Sequence, residues 1–442
     1  MRVPVLLAAV LVVFSRAVVR ATELPAPVGD DHFGVFDMDE VRLGRDLFYD
    51  RILSGNRNIA CSTCHHPKFA TSDGLSLGLG EGGRGLGPDR SADPDNLPEQ
   101  RIPRNSPALF NLGSEEFAVL FHDGRIETDQ SRKSGLRTPL EDDMVVGFDG
   151  ILSAQTMFPV LSPDEMAGHY QENDISKLVR QGRLTGSGGA WDAISARVAG
   201  IEGYRHAFQS VYPEIAEGKD IHFTDISNAI AAFVAFEWRS IDSPFDGHLR
   251  GEADLDGSAR RGMDLFYGGA GCSACHTGLF QTDHGFHAMR QPQIGPGKAE
   301  RFESHQRDIG RQRVTGLAKD AYAFRTPSLR NVMRTGPWGH AGAYADIRAF
   351  LAQHSDRGAG FAEYDRDVVL PDLEGAANDW AIMDDPAERG AILAAGGEAG
   401  GGLTPDQIDD LVAFLDTLTD PVALNGRLGV PESVPSGLPV DR

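Results

Sequence analysis

Cys61-Ser62-Thr63-Cys64-His65 and Cys272-Ser273-Ala274-Cys275-His276 contain all four cysteines of this 442-residue chain. In each motif the two thiols stand one helical turn apart and an imidazole follows at once. That spacing is the attachment signature of c-type haem. The thiols add to the two vinyl groups of the porphyrin, and the next residue lies under the iron as proximal ligand. Other uses of paired cysteines fit less well. A four-thiolate zinc site joins its arms over a few tens of residues, whereas Cys64 and Cys272 are 208 positions apart. A redox dithiol needs no histidine after it. The pattern therefore predicts two covalently bound haem c groups, one on Cys61, Cys64 and His65, the other on Cys272, Cys275 and His276.

Working outward, the motifs sit inside a longer repeat. Gly44-Arg45-Asp46-Leu47-Phe48-Tyr49 precedes the first, and Gly262-Met263-Asp264-Leu265-Phe266-Tyr267 precedes the second. Both read as the end of a helix. Downstream, Pro107-Ala108-Leu109-Phe110-Asn111 is echoed by Pro327-Ser328-Leu329-Arg330-Asn331, and His122-Asp123-Gly124 by His340-Ala341-Gly342. This is one unit written twice, not a solenoid of short repeats. The joint falls near Ser243-Pro244-Phe245-Asp246-Gly247, after a helical stretch at residues 226–238. Near the end of the chain Thr404 can cap a helix with Pro405 in its first turn, and Ile408, Leu411, Val412, Leu415 and Leu418 form its apolar stripe. Strand-like alternation is scarce. The expected fold is mainly α, with two cytochrome c-like haem domains in tandem joined by long loops, at residues 22–245 and 246–425, and a tail at 426–442. The glycine-rich run at residues 74–88 lacks the ending of a phosphate cradle and reads as a flexible surface loop.

Composition narrows the class further. Hydrophobic residues make up 41% and charged residues 24%, which excludes general disorder. A net charge of −22 has the wrong sign for a nucleic-acid-binding protein. Residues 1–21 read as a secretory signal: Arg2, ten apolar residues at 5–14, and Val19-Arg20-Ala21 at a cleavage spacing. Ten residues do not cross a hydrocarbon core of about 30 Å, and no later run is long enough. The mature chain is expected in the periplasm, cleaved near Ala21 and without a membrane span. Losing the leader's three arginines takes its charge from −22 to −25.

With these motifs in this order, the chain resembles the bacterial di-haem cytochrome c peroxidases and their MauG-type relatives, which oxidise protein side chains. The resemblance runs from about residue 39 to 419 and is carried by residues 47–65, 103–111, 121–125, 155–166 and 324–340. It implies that peroxide reacts at the N-terminal haem while the C-terminal haem passes electrons. It places Gln155 and Glu165 over the N-terminal haem. A carboxylate there can take a proton from one peroxide oxygen and return it to the other; Asp164 beside it reads as a bystander. It also implies calcium between the domains, at Asn105, Thr335 and Pro337, with water completing an oxygen shell. Dimers are usual in the family.

Three departures stand out. Residues 67–101 contain no histidine to block the N-terminal iron, and His66 is too close to His65 to reach its far face, so an open haem needing no reductive activation is expected. Phe121-His122-Asp123-Gly124-Arg125 carries His122 where the family has an inter-haem tryptophan. The helix after His340 contains no methionine, so His354 is the expected sixth ligand of the C-terminal haem, with Met289, Met333 and Met383 as alternatives. A bis-histidine haem has a lower potential than a His/Met one. The expected activity is reduction of hydrogen peroxide to water with electrons from a small cytochrome c or cupredoxin. The alternatives are a MauG-type oxidase acting on a partner protein's Trp or Tyr, and a di-haem electron carrier with no enzymatic role.

Overall fold

Asp37 starts the first long helix by accepting from the Asp39 amide, and the helix runs Met38–Tyr49 with Val41, Leu47, Phe48 and Tyr49 buried. The computed structural model describes residues 23–297, 306–374, 378–397 and 401–442; the expected leader lies outside them. The Met38–Tyr49 helix lies along Phe223–Glu237, and the two touch at Gly44, where a Cβ would come 1.8 Å from the Ala229 carbonyl oxygen. The second copy is built the same way. Its Gly257–Asp264 helix lies along Pro405–Asp416, and a Cβ on Gly262 would come 1.9 Å from the Asp410 carbonyl oxygen. Gly44 and Gly262 open the two sequence repeats, so glycine stands there because backbone meets backbone.

The asparagines of the repeat match as closely. Asn111 and Asn331 both have φ of +62°. Asn111 donates its amide to Trp238 O (3.1 Å) and accepts from Ser240 N (2.7 Å). Asn331 donates to Leu418 O (3.0 Å) and accepts from Asp420 N (2.7 Å). Each thus ties the cysteine-bearing half of its unit to the end of that unit's last helix. A left-handed backbone favours Asn among side-chain-bearing residues, and the side-chain amide does the rest.

Helix dominates, and among the described residues the strands are only two or three residues long, as in Phe286–His287 paired with Phe324–Arg325. Four details differ from the expectation. The second aromatic repeat does not end an α-helix: Leu265–Gly269 is a π turn following Gly257–Asp264. The Pro405–Asp416 helix buries Phe414 completely and Val412 only in part, because its stripe meets Phe245 and Phe266. Residues 74–88 are not a flexible surface loop. Leu75, Leu77 and Leu79 are fully buried, and the buried Arg90 guanidinium donates to the carbonyls of Leu79, Gly80 and Gly85. Glycines let this strand of chain pass between packed backbones, and the arginine satisfies the carbonyls that water cannot reach.

The fourth concerns residues 426–442, which return to the first core. Val434 is buried there, Glu237 accepts from the Leu428 and Gly429 amides, and Asp441 pairs with Arg51 and accepts from Thr63 inside the first cysteine motif. At the joint, Ser243 caps Pro244–Leu249, whose Asp246 forms a fully buried ion pair with Arg330 (2.7 Å). Removing one partner of such a pair strands a charge. No described helix is long and apolar enough to cross a membrane.

Candidate functional site

Cys61–Cys64 forms a single helical turn with its thiols unpaired, and burial pushes both thiols up to about 12. Cys272 and Cys275 lie on and just after the Cys272–Ala274 turn, also unpaired, with burial pushing Cys272 to about 11. The histidines that follow the two cysteine pairs share one device. His65 Nδ1 lies 3.0 Å from Thr71 O, and His276 Nδ1 lies 3.0 Å from Gln281 O. A carbonyl only accepts, so Nδ1 carries the proton and Nε2 the lone pair, as a metal ligand requires. Burial holds both imidazoles below their ordinary pKa, hence neutral.

His354, near the end of the Ile347–Ser355 helix, faces His276. Their ring centres are 6.3 Å apart and the planes incline by 45°. Two imidazoles on one metal, with metal–nitrogen distances of about 2.0–2.1 Å and about 1.1 Å from nitrogen to ring centre, stand about 6.3 Å apart. The pair therefore fits a single iron between them. Burial, then the neighbouring His276 and Arg357, lower His354 to about 3, and its buried Nδ1 has no partner. Of the methionine alternatives, Met383 is buried in a separate cluster with Tyr322 and Phe361, and Met289 Sδ accepts from Arg357.

On the other haem side, Gln155 ends the Ile151–Gln155 helix and Glu165 lies on the Pro163–Ala167 π turn; each is half-buried. Ser162 Oγ accepts from the Glu165 amide (3.3 Å), and Gly80 packs so closely that a Cβ there would meet Asp164 O at 2.1 Å and Glu165 Cα at 2.9 Å. The charge of Glu165 is among those that raise the Cys64 thiol after burial itself. His66 is turned elsewhere, its Nδ1 accepting from the Lys68 amide (3.2 Å).

His122 from the first half of the chain meets a stack of rings from the second half. His340 lies flat on Phe324, with centres 3.7 Å apart and 13° between planes, and His122 lies 6.4 Å from His340 at 17°. His122 Nε2 is 2.9 Å from Asp308 Oδ2, and Arg125 donates to His122 Nδ1 (3.3 Å). Since the carboxylate accepts and the guanidinium donates, His122 is neutral with its proton on Nε2. Burial lowers its pKa, more than its acidic neighbours raise it. Burial would raise Asp308, but Arg104 and His122 hold it well below the usual carboxylate range. Sequence reasoning named His122 and missed Asp308 and Arg104. Asp308 follows no motif, and Arg104 lies in the family-like stretch at residues 103–111 with nothing in the sequence to pair it with an acid 204 positions away. Asn105, expected at calcium, donates its amide nitrogen to Leu75 O (2.7 Å), and Thr335 donates to Val332 O (3.2 Å).

Residues 38–254 match a family described as di-haem cytochrome c peroxidase. The chain belongs to this di-haem peroxidase and MauG family. It is 28% identical to the methylamine utilization protein MauG of Methylorubrum extorquens over 71% of this chain and 67% of that one. It is 27% identical to the cytochrome c551 peroxidase of Pseudomonas aeruginosa over 70% of each chain. The crystal structure of a MauG-like protein associated with microbial copper homeostasis matches over 93% of this chain and 97% of its own, at 25% identity and a TM-score of 0.56. The di-haem peroxidase BthA of Burkholderia thailandensis shares the fold, at 21% identity and a TM-score of 0.55, over 96% of this chain and 97% of its own. Membership implies two haem c groups and oxidoreductase chemistry. The two named relatives stand at nearly equal identity, so the choice between peroxide reduction and side-chain oxidation rests on the residues.

Proposed function

We propose that this chain is an exported, periplasmic di-haem peroxidase that reduces hydrogen peroxide to water with electrons from a small cytochrome c or cupredoxin. The observation that carries the reading is Glu165, half-buried on the Pro163–Ala167 turn, which packs its backbone directly against Gly80. Cys61, Cys64 and His65 would hold a haem, which would supply the redox-active metal for peroxide reduction. Glu165 moves the proton from the near oxygen of peroxide to the far one, so that water leaves, and Gln155 positions the peroxide by hydrogen bonding. A pure electron carrier has no use for such a carboxylate.

In this reading residues 22–245 hold the peroxide-reacting haem on Cys61, Cys64 and His65. Residues 246–425 hold the electron-receiving haem on Cys272, Cys275 and His276, with His354 as its sixth ligand. The ring-pair separation supports that ligand. Asn105, Thr335 and Pro337 are proposed for calcium on the family resemblance. The acidic surface favours a basic donor, whose association slows as salt rises. Steady-state assay of the holoprotein with peroxide and a reduced basic cytochrome c tests the proposal. Peroxide-dependent oxidation of the donor, slowed by salt, is expected; peroxide consumption without donor oxidation contradicts it.

The MauG-type reading has its own support. The histidine-free interval at residues 67–101 and a histidine where relatives carry another sixth ligand both suit storage of oxidising equivalents. That reading predicts that peroxide oxidises a partner protein's Trp or Tyr in the absence of any donor.

A further inference from the structure

Two residues after the Pro163–Ala167 turn, His169 sits among four carboxylates. One of its ring nitrogens lies with carboxylate oxygens of Glu99 and Asp164 in a group whose members are all within 4.8 Å of one another, and a second such group joins His169 to Glu81 and Glu172. The hydrogen bonds divide these acids by role. Glu172 accepts from His169 Nδ1 (3.1 Å), from the His169 amide (2.9 Å) and from Asn56 (2.7 Å). Glu81, 1% exposed, takes amide protons from Asn56, Asn58 and Asn96 and has no ion pair among the described residues. Donation from Nδ1 to Glu172 leaves the lone pair of His169 on Nε2. That atom is buried without a hydrogen-bond partner, on a residue 9% exposed.

We propose that His169 Nε2, Asp164 and Glu99 bind a divalent transition-metal cation, with Glu172 as the carboxylate that orients the histidine. A carboxylate–histidine–metal chain is the usual way a protein fixes the tautomer of such a ligand. One nitrogen and two carboxylates suit zinc, with water in the fourth position, better than magnesium or calcium, which prefer an all-oxygen shell. Asp164 is buried and Glu99 exposed, so the site has an inner wall and an entrance from solvent. Asp164 is then not a bystander. Its carbonyl accepts the Glu81 amide (2.8 Å) and its neighbour is Glu165, so the cation braces the turn that carries the proposed proton-transfer group. The site itself stands whether or not peroxide is the substrate.

The test uses the holoprotein, stripped with chelator, loaded with zinc chloride, desalted and analysed for zinc against haem iron. One zinc per two irons is expected for the wild type, with retention abolished in His169→Ala and Glu99→Gln. Zinc affinity should fall about 10–100-fold in Glu172→Gln, the usual cost of losing an orienting partner. Zinc should also slow hydrogen exchange of the amides at residues 163–167. A wild type that retains no zinc, or a Glu99→Gln protein that retains as much as wild type, overturns the proposal. Glu99 is exposed, so its variant decides the matter even if His169→Ala fails to load haem.

Discussion

His276 and His354 face each other with ring centres 6.3 Å apart, the separation that one axially coordinated iron spans. If His354 is the sixth ligand, His354→Ala should convert the reduced spectrum of the second haem from six- to five-coordinate. His354→Met should restore a six-coordinate spectrum at a higher potential, since thioether sulfur favours reduced iron. Absorption and redox titration of the three proteins check this. An unchanged reduced spectrum in His354→Ala removes the ligand assignment.

The two glycine contacts predict a matched pair of destabilised variants. Gly44→Ala and Gly262→Ala each drive a Cβ to within 1.8–1.9 Å of a carbonyl oxygen. Overpacking of this kind costs about 1–3 kcal/mol or more. Gly390 lies in the Pro386–Ala395 helix, and a Cβ there would meet nothing within 4 Å. Gly390→Ala should instead be neutral or stabilise by up to about 1 kcal/mol. Thermal and denaturant unfolding of the holoproteins measure all three. Equal stabilities would mean that the repeat glycines do not carry the helix contacts.

The His122–Asp308 pair gives a pH dependence with a definite sign. Both groups have folded pKa values below their ordinary 6.5 and 3.8, so the unfolded chain binds more protons than the native one. The His122 contribution is complete above pH 6.5 and is lost as pH falls through its depressed folded value. Asp308 adds a further loss below 3.8. The melting temperature should therefore fall between pH 7 and pH 5, and less steeply in His122→Phe, which keeps Asp308 paired with Arg104. The other buried histidines leave a residual slope. An identical slope in the variant would show that His122 already binds a proton in the native state.

Glu165→Gln keeps the shape of the turn and removes the base. Peroxide reduction should slow about 10²–10⁴-fold, the range for loss of a positioned proton-transfer group, with haem content and melting temperature unchanged. Gln155→Ala should cost less, since Gln155 orients without exchanging a proton. A Glu165→Gln protein at wild-type rate excludes the assigned role.

Much of this was legible because the chemistry is local. The five-residue haem motifs need no tertiary information, and the repeat announced equivalent positions that the fold then used identically, Gly44 with Gly262 and Asn111 with Asn331. His354 was singled out by its place in the helix that follows His340, and the structure brings its ring to 6.3 Å from that of His276. What sequence could not supply were partners brought in from afar. Asp308 meets Arg104 and His122 from 204 and 186 positions away, and no motif surrounds it. The burial of residues 74–88 was hidden for the same reason. Their glycines read as flexibility, whereas Arg90 and the backbone around Asp164 turn them into packing. Asp164 itself lost out to a neighbour with a clearer motif.

The central claim is an N-terminal haem, on His65, whose far face carries Glu165 and no blocking histidine. Stopped-flow absorption of the fully oxidised holoprotein mixed with hydrogen peroxide tests it most directly. A rapid change in the Soret band without prior reduction is the predicted result. A protein that stays inert to peroxide until one haem has been reduced would contradict the account.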